Sequence, residues 1–382
     1  MSLTIRDILR LRAHDAASQK LGQLIAGAEA VALLSGAVES GIVDALSVPS
    51  SPQQIAAATD LKQEQIDHVL RALEAHGFVR QLNGGYNLAP HLKRLTEADA
   101  PLPLINTLRV TKIRMRNLTN LGNATKDYTA LQASDVFSIA KSIISALSFT
   151  SGFVGAAMGN LMPEVMRLWE SGAHHLESGC GVGNNLFQIL TNYPKVTAVG
   201  VEIDAETANE ARRRAAQFKV TDRVEVRQID ACALTDEAVF DTAQWSQFFF
   251  PTSSRVAALR SLFKALKPGG YVFMPLLLAV SDNIWAYRRD MLRTALKVLK
   301  SEPRIALVFL NAFLLTSRSY QRAEKRLSSL EKLVYQTWGV PARTAKELQM
   351  ELADSGFRMV RAIPIPASRL FPNRGFLLAQ RT

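Results

Sequence analysis

The sequence predicts an α/β protein, with a mainly helical domain in its first half and an open, mostly parallel sheet of seven strands in its second. Two observations carry this. After Gly172 short apolar runs alternate with helical stretches, whereas before it Ala- and Leu-rich helical text dominates. The first apolar run after Gly172 also ends in a glycine cluster that opens the next helix. A length of 382 residues allows two or three units, and 48% hydrophobic with 21% charged residues excludes a disordered chain.

In chain order, Leu21 to Leu46 is helical text with a break at Gly41. Ser51 before Pro52 marks an N-cap with proline at the first helical position; a short helix to Ala58 follows, then a second from Gln63 to His76, stopped by Gly77. Phe78–Gln81 and Tyr86–Ala89 flank Asn83-Gly84-Gly85 as a hairpin. Helix, turn, helix and a two-stranded wing make a winged helix. Groove binding would need cations on the second helix, where Arg71 stands against Glu64, Asp67 and Glu74, so dimerisation is expected and nucleic acid is not. Helical text at 135–148 and 163–170 then links to the sheet domain.

Strands are expected near 173–177, 197–202, 224–229, 243–249, 270–276, 357–363 and 375–380. Thr344 and Glu347 have capping-box spacing before a helix to Asp354, and residues 281–340 interrupt the alternation as a helical insertion over the sheet edge. The expected organisation is therefore 1–100, a winged-helix dimerisation domain; 101–170, a helical linker; and 171–382, the sheet domain with insertion 281–340.

The formal net charge is +11, but residues 1–100 carry −2 and residues 281–340 carry +6. The basic excess therefore sits late in the chain, where it could meet an anionic membrane surface. The longest nearly uncharged apolar runs, 271–280 and 305–315, are too short for a membrane span, and Asp7, Arg10, Arg12 and His14 interrupt any secretory core. No span and a cytoplasmic location are expected. Cys180 and Cys232 form neither a disulfide framework nor a metal-ligand pattern, so no metal is expected.

The segment Glu177-Ser178-Gly179-Cys180-Gly181-Val182-Gly183 ends the first strand of the sheet and opens a helix, where glycines let a ligand approach backbone. Asn184 stands where a dinucleotide fingerprint needs its last glycine, and no phosphate loop is present. Glu177, Glu202 and Asp230 lie at the ends of three successive strands, so the three acids would line one crevice and suit a cationic ligand with a ribose.

ESGCGVG, VGVEID, the Asp230-Ala231-Cys232 step and ALKPGGYVF at 265–273 resemble the ordered motifs of class I S-adenosylmethionine-dependent methyltransferases. With the winged helix before them, they resemble the small-molecule O-methyltransferases of that class over nearly the whole chain. The resemblance implies a Rossmann-like seven-stranded methyltransferase sheet, S-adenosyl-L-methionine as cofactor, and a homodimer. It places Gly179, Gly181 and Gly183 under the methionine moiety, Glu177 near its ammonium, Glu202 on the ribose hydroxyls, and Asp230, with Ala231, at the adenine; Ser246 completes the cofactor set.

Many such enzymes carry a histidine base just after the fourth strand. Here that segment is Trp245-Ser246-Gln247-Phe248-Phe249-Phe250-Pro251, and no histidine follows His175. The catalytic residue is thus unknown, and His174 and His175 are expected to be structural. An already nucleophilic acceptor needs little beyond proximity and desolvation. Phe153, Met158, Phe250 and Trp285 are candidate walls for a small, largely apolar substrate, and Arg288 and Arg289 candidate partners for an anionic one. The alternatives are a cofactor-binding relative with non-methylating chemistry, and methylation of a lipid-like acceptor at a membrane surface.

Overall fold

A computed structural model describes residues 5–82, 84–97, 103–119, 131–142, 161–276, 284–300, 303–315, 329–365 and 375–382. The chain divides into two compact units, Met1–Thr111 and Lys112–Thr382.

In the first unit a helix runs over Ile5–Glu39, starting well before the expected Leu21 because neither glycine nor proline occurs between Ile5 and Leu21. It ends before Gly41, whose φ of 80° suits the left-handed turn. Its His14–Glu39 stretch, mean hydropathy 1.6 in its most apolar window, is long and apolar enough to cross a membrane by length and composition. The stretch combines helical length with few charges, since between Lys20 and Glu39 only Glu29 is charged.

Ser51 Oγ accepts the Gln54 N–H and Gln54 Oε1 accepts the Ser51 N–H, so both donors at the start of helix Pro52–Ala58 are satisfied. Helix Gln63–Ala75 follows, then antiparallel strands β1 (Val79–Leu82) and β2 (Gly85–Leu88). Ile55, Ile66, Leu70, Leu73, Val79 and Leu88 close the core of this unit together with Leu34 and Leu46.

The second unit is built on β3 (His174–Ser178), β4 (Thr197–Glu202), β5 (Val224–Gln228), β6 (Phe240–Trp245), β7 (Leu266–Leu276), β8 (Phe357–Pro364) and β9 (Gly375–Arg381). Their order is β5-β4-β3-β6-β7-β9-β8, parallel except for the β9 pairings. Side chains alternate across the sheet as its pleat requires: Leu176 and Leu377 join the cluster around Phe240 and Trp245, while Leu378 and Phe273 join the one around Trp169 and Phe187. β6 stops at Trp245 and not at 249; Gln247–Phe249 is a 3₁₀ turn. Three consecutive phenylalanines cannot all face one side of a strand, and the turn buries Phe248 and Phe250 separately. Within the expected insertion, helices Ile284–Val298 and Pro303–Leu315 bury Met291, Ala295, Val298 and Phe309 in the Phe273 cluster.

Candidate functional site

From β3 the chain steps outward through β4 to β5, then returns to β6 on the other side of β3. The carboxyl ends of strands at such a reversal leave a crevice that helices cannot cover. A cavity of about 400 Å³ lies there, within the usual range for small ligands. Glu177 and Gly179 reach it from β3, Val201 and Glu202 from β4, Ile229, Asp230 and Ala231 from β5, and Ser246 from β6.

The glycine loop is tied to the sheet at both ends of its turn. Val201 O accepts the N–H groups of Gly179 and Cys180. Glu202 Oε2 accepts the Gly181 N–H at 2.9 Å, and its Oε1 accepts the Asp204 N–H at 3.0 Å. Glu202 therefore braces the loop as well as facing the cavity. Burial raises its pKa, and the Asp204, Gly181 and Ile203 N–H groups oppose that rise.

Glu177 is fully buried. Burial pushes its carboxyl up to about 8, against the pull of Asn185 and the Leu186 N–H. Gln244 Nε2 donates to its Oε1 at 3.3 Å, while its Oε2 has no hydrogen-bond partner. An acid held neutral with one oxygen unsatisfied is suited to a cationic ligand group, which would let it ionise. Asp230 is exposed at the cavity and caps the 3₁₀ turn Ala231–Ala233 by accepting the Cys232 N–H.

Gly179 and Gly181 line the cavity, but Gly183 does not. A Cβ on Gly183 would lie 2.4 Å from the Phe187 ring, so helix packing by itself requires this glycine. Phe250 does line the cavity and packs against Gly179. Trp285, Arg288 and Arg289 are not among the cavity-lining residues. Trp285 is 72% exposed, Arg288 stacks over Trp285 and Phe313, and Arg289 lies 3.8 Å from Asp290. Phe153 and Met158 fall outside the described residues. Among the described residues the lining carries three carboxyl groups and no Arg, Lys or His.

His175 Nδ1 pairs with Thr242 Oγ1 at 2.9 Å, its ring stacks on Phe273, and burial pulls its pKa down to about 3. His174 packs edge-on against Phe240. Neither lines the cavity. Sequence reasoning missed Ile203 and Ile229, which the strand-end acids beside them could have revealed. It also missed Trp338, Val340, Leu131 and Val136, which arrive from distant segments without a local signal.

Residues 176–270 match the family described as methyltransferase domain. No curated protein sequence matches the chain to a significant degree. Among solved structures, the chain is similar to the mitomycin 7-O-methyltransferase at 16% identity and a TM-score of 0.64, covering 97% of this chain and 100% of that one. It is similar to an O-methyltransferase from neocarzinostatin biosynthesis, solved with S-adenosylmethionine and 2-hydroxy-5-methyl naphthoic acid, at 15% identity and a TM-score of 0.57, covering 94% and 96%. It is also similar to an N,N-8-amino-8-demethyl-D-riboflavin dimethyltransferase from Streptomyces davawensis, at 17% identity and a TM-score of 0.59, covering 96% and 99%. Residues 176–270 thus match a methyltransferase domain, and the chain shares its fold with these methyltransferase structures.

Proposed function

We propose that this protein transfers the methyl group of S-adenosylmethionine to a small, largely apolar and uncharged metabolite, without a histidine base. The observation that carries the reading is the convergence of Glu177, Glu202 and Asp230 with the glycine loop on one cavity that has no cationic lining among the described residues. These groups fit the cofactor. Glu177, with its unsatisfied Oε2, would hold the ammonium; Glu202 would accept the ribose hydroxyls; Asp230 and Ala231 would face the adenine. The bound cofactor supplies an electrophilic methyl on a sulfonium. The chain's own part is to orient it, to exclude water and to bring the acceptor close.

Phe249, Phe250, Trp338 and Val340 support an apolar acceptor, since they offer ring and aliphatic surface with little polar demand. His174 and His175 lie off the cavity lining, which supports a reaction without imidazole. For the first unit we propose a winged-helix dimerisation domain in a cytoplasmic homodimer. Leu21, Leu24 and Ile25 are 58%, 61% and 49% exposed on its long helix, apolar surface that a second copy would cover.

Calorimetry with S-adenosylhomocysteine, followed by mass spectrometry of apolar phenols, amines and carboxylic acids incubated with the cofactor, tests the activity. Stoichiometric binding and a gain of one methyl on an uncharged acceptor are expected. Tight binding with no methylation of any acceptor would favour non-methylating chemistry. Glu202→Ala is expected to weaken S-adenosylhomocysteine binding by about 1.5–3 kcal/mol, the scale for hydrogen bonds to a charged group. An unchanged Kd in a folded variant would remove Glu202 from the site.

A further inference from the structure

Arg214 stands in the last turn of helix Ala205–Gln217, yet it is buried. Burial pulls its pKa down, so the guanidinium is held there at a cost. Its Nη1 donates to Val182 O at 2.8 Å and to Asn184 Oδ1. The plane of the group lies over Phe187 and Phe218, 6.0 and 5.4 Å from their ring centroids. Neither acceptor is a carboxylate, and the Glu210 carboxylate one turn earlier supports the charge only through space. Filling a space between two phenylalanines needs only apolar volume, so the charge and its fork of donors call for another reason.

The acceptors supply that reason. Val182 and Asn184 bracket Gly183 at the end of the glycine loop, and both line the cavity. Asn184, oriented by Arg214, donates from Nδ2 to Ala140 O at 3.3 Å. Ala140 belongs to helix Ala133–Ser142, which lines the cavity with Val136 and Ala140. One turn before Arg214, Glu210 lies 3.6 Å from Lys141 of that same helix. A single face of helix Ala205–Gln217 thereby fastens two separate walls of the cavity. Arg214 itself does not line it.

We propose that Arg214 is a positioning residue for cofactor binding: it sets the end of the glycine loop and, through Asn184, ties helix Ala133–Ser142 to it. This rests on the cofactor reading above. Both bonds leave Nη1, whose two N–H groups lie in the guanidinium plane and so fix the acceptors in direction as well as distance, whereas an ammonium donates from freely rotating N–H groups. Loss of the fork leaves both walls present but unregistered, and ligand affinity then falls because ordering them is deferred to binding.

The test combines S-adenosylhomocysteine calorimetry with hydrogen exchange of the ligand-free protein, on wild type, Arg214→Met and Arg214→Lys. Met keeps apolar volume between Phe187 and Phe218, so Arg214→Met should melt within a few degrees of wild type. It should bind the ligand about tenfold to a hundredfold more weakly, the scale for hydrogen bonds from a charged donor. Amides in 133–142, the element tied to Arg214 through Asn184 and Ala140, should exchange faster. Should Arg214→Met fail to fold, Arg214→Lys carries the test, with an intermediate loss of affinity and faster exchange in the same helix. Wild-type affinity and wild-type exchange at 133–142 in either folded variant would overturn the proposal. Wild type that fails to bind the ligand overturns the cofactor reading instead, while the exchange data still decide whether Arg214 braces the two walls.

Discussion

Replacing Glu177 with Gln is expected to remove a loss of stability that the wild type suffers as pH rises, and to remove the pH dependence of ligand binding with it. In the fold this carboxyl holds its proton up to about pH 8, chiefly because it is buried, with Glu202 adding repulsion. In the unfolded chain a glutamate releases its proton near pH 4.3. Between those values the folded state binds more protons than the unfolded state, so stability falls as pH rises through the window. A Gln of the same shape cannot ionise and keeps a hydrogen-bonding oxygen toward Gln244. Unfolding free energies of ligand-free wild type, from urea titrations between pH 5.5 and 8.5, should fall by an amount on the order of a few kcal/mol that the variant does not share. A ligand ammonium beside it reverses the demand on the acid, because it favours the ionised form. S-adenosylhomocysteine should therefore bind wild type roughly tenfold more tightly at pH 8 than at pH 6, with proton release, and Glu177→Gln should bind weakly and evenly at both. Parallel pH profiles for the two proteins would show that Glu177 does not titrate in this range.

Gly183→Ala is expected to destabilise the protein by about 2–5 kcal/mol, combining a left-handed backbone penalty with overpacking. Gly183 has φ 78° at the start of helix Asn184–Asn192, and its added Cβ would lie 2.4 Å from two atoms of the Phe187 ring. That ring cannot withdraw readily. It is fully buried, 5.5 Å from the Phe218 ring, and covered by the Arg214 guanidinium. Adding Phe187→Leu to Gly183→Ala should recover the overpacking share and leave the backbone share, which a double-mutant cycle by urea unfolding resolves. Gly181→Ala is the contrast, since its Cβ would sit at an ordinary 3.6 Å from the Ala140 Cβ. A loss below about 1 kcal/mol for Gly183→Ala would mean that the helix start yields more easily than its packing implies.

Features set by neighbours in the chain are legible in the amino-acid sequence by itself. The Ser51 cap and the Thr344–Glu347 box are contacts over three residues, and both form. The alternation after Gly172 places the strands, and with them the acids at Glu177, Glu202 and Asp230, because a parallel sheet sends all its strand ends the same way. Where several conformations satisfy the local pattern, packing makes the choice. The Phe248–Phe250 run suits a strand until the core and the cavity each take some of its rings. The full extent of helix Ile5–Glu39 escapes the Ala- and Leu-rich pattern because Arg6, Asp7, Arg10, Arg12, His14 and Asp15 interrupt the apolar run at its start, although no glycine or proline does. Gly183 looks like its neighbours in the loop, and only the position of Phe187, one turn along a helix whose exit angle the sheet sets, distinguishes it. The opposite walls, from Val136 and Ala140 on one side of the chain to Trp338 and Val340 on the other, meet across roughly two hundred residues. Arg214 reads in sequence as one of three consecutive arginines on a helix. Arg212 and Arg213 remain at the surface while Arg214 turns inward, since the 3.6-residue period carries only one of three successive side chains to the buried face.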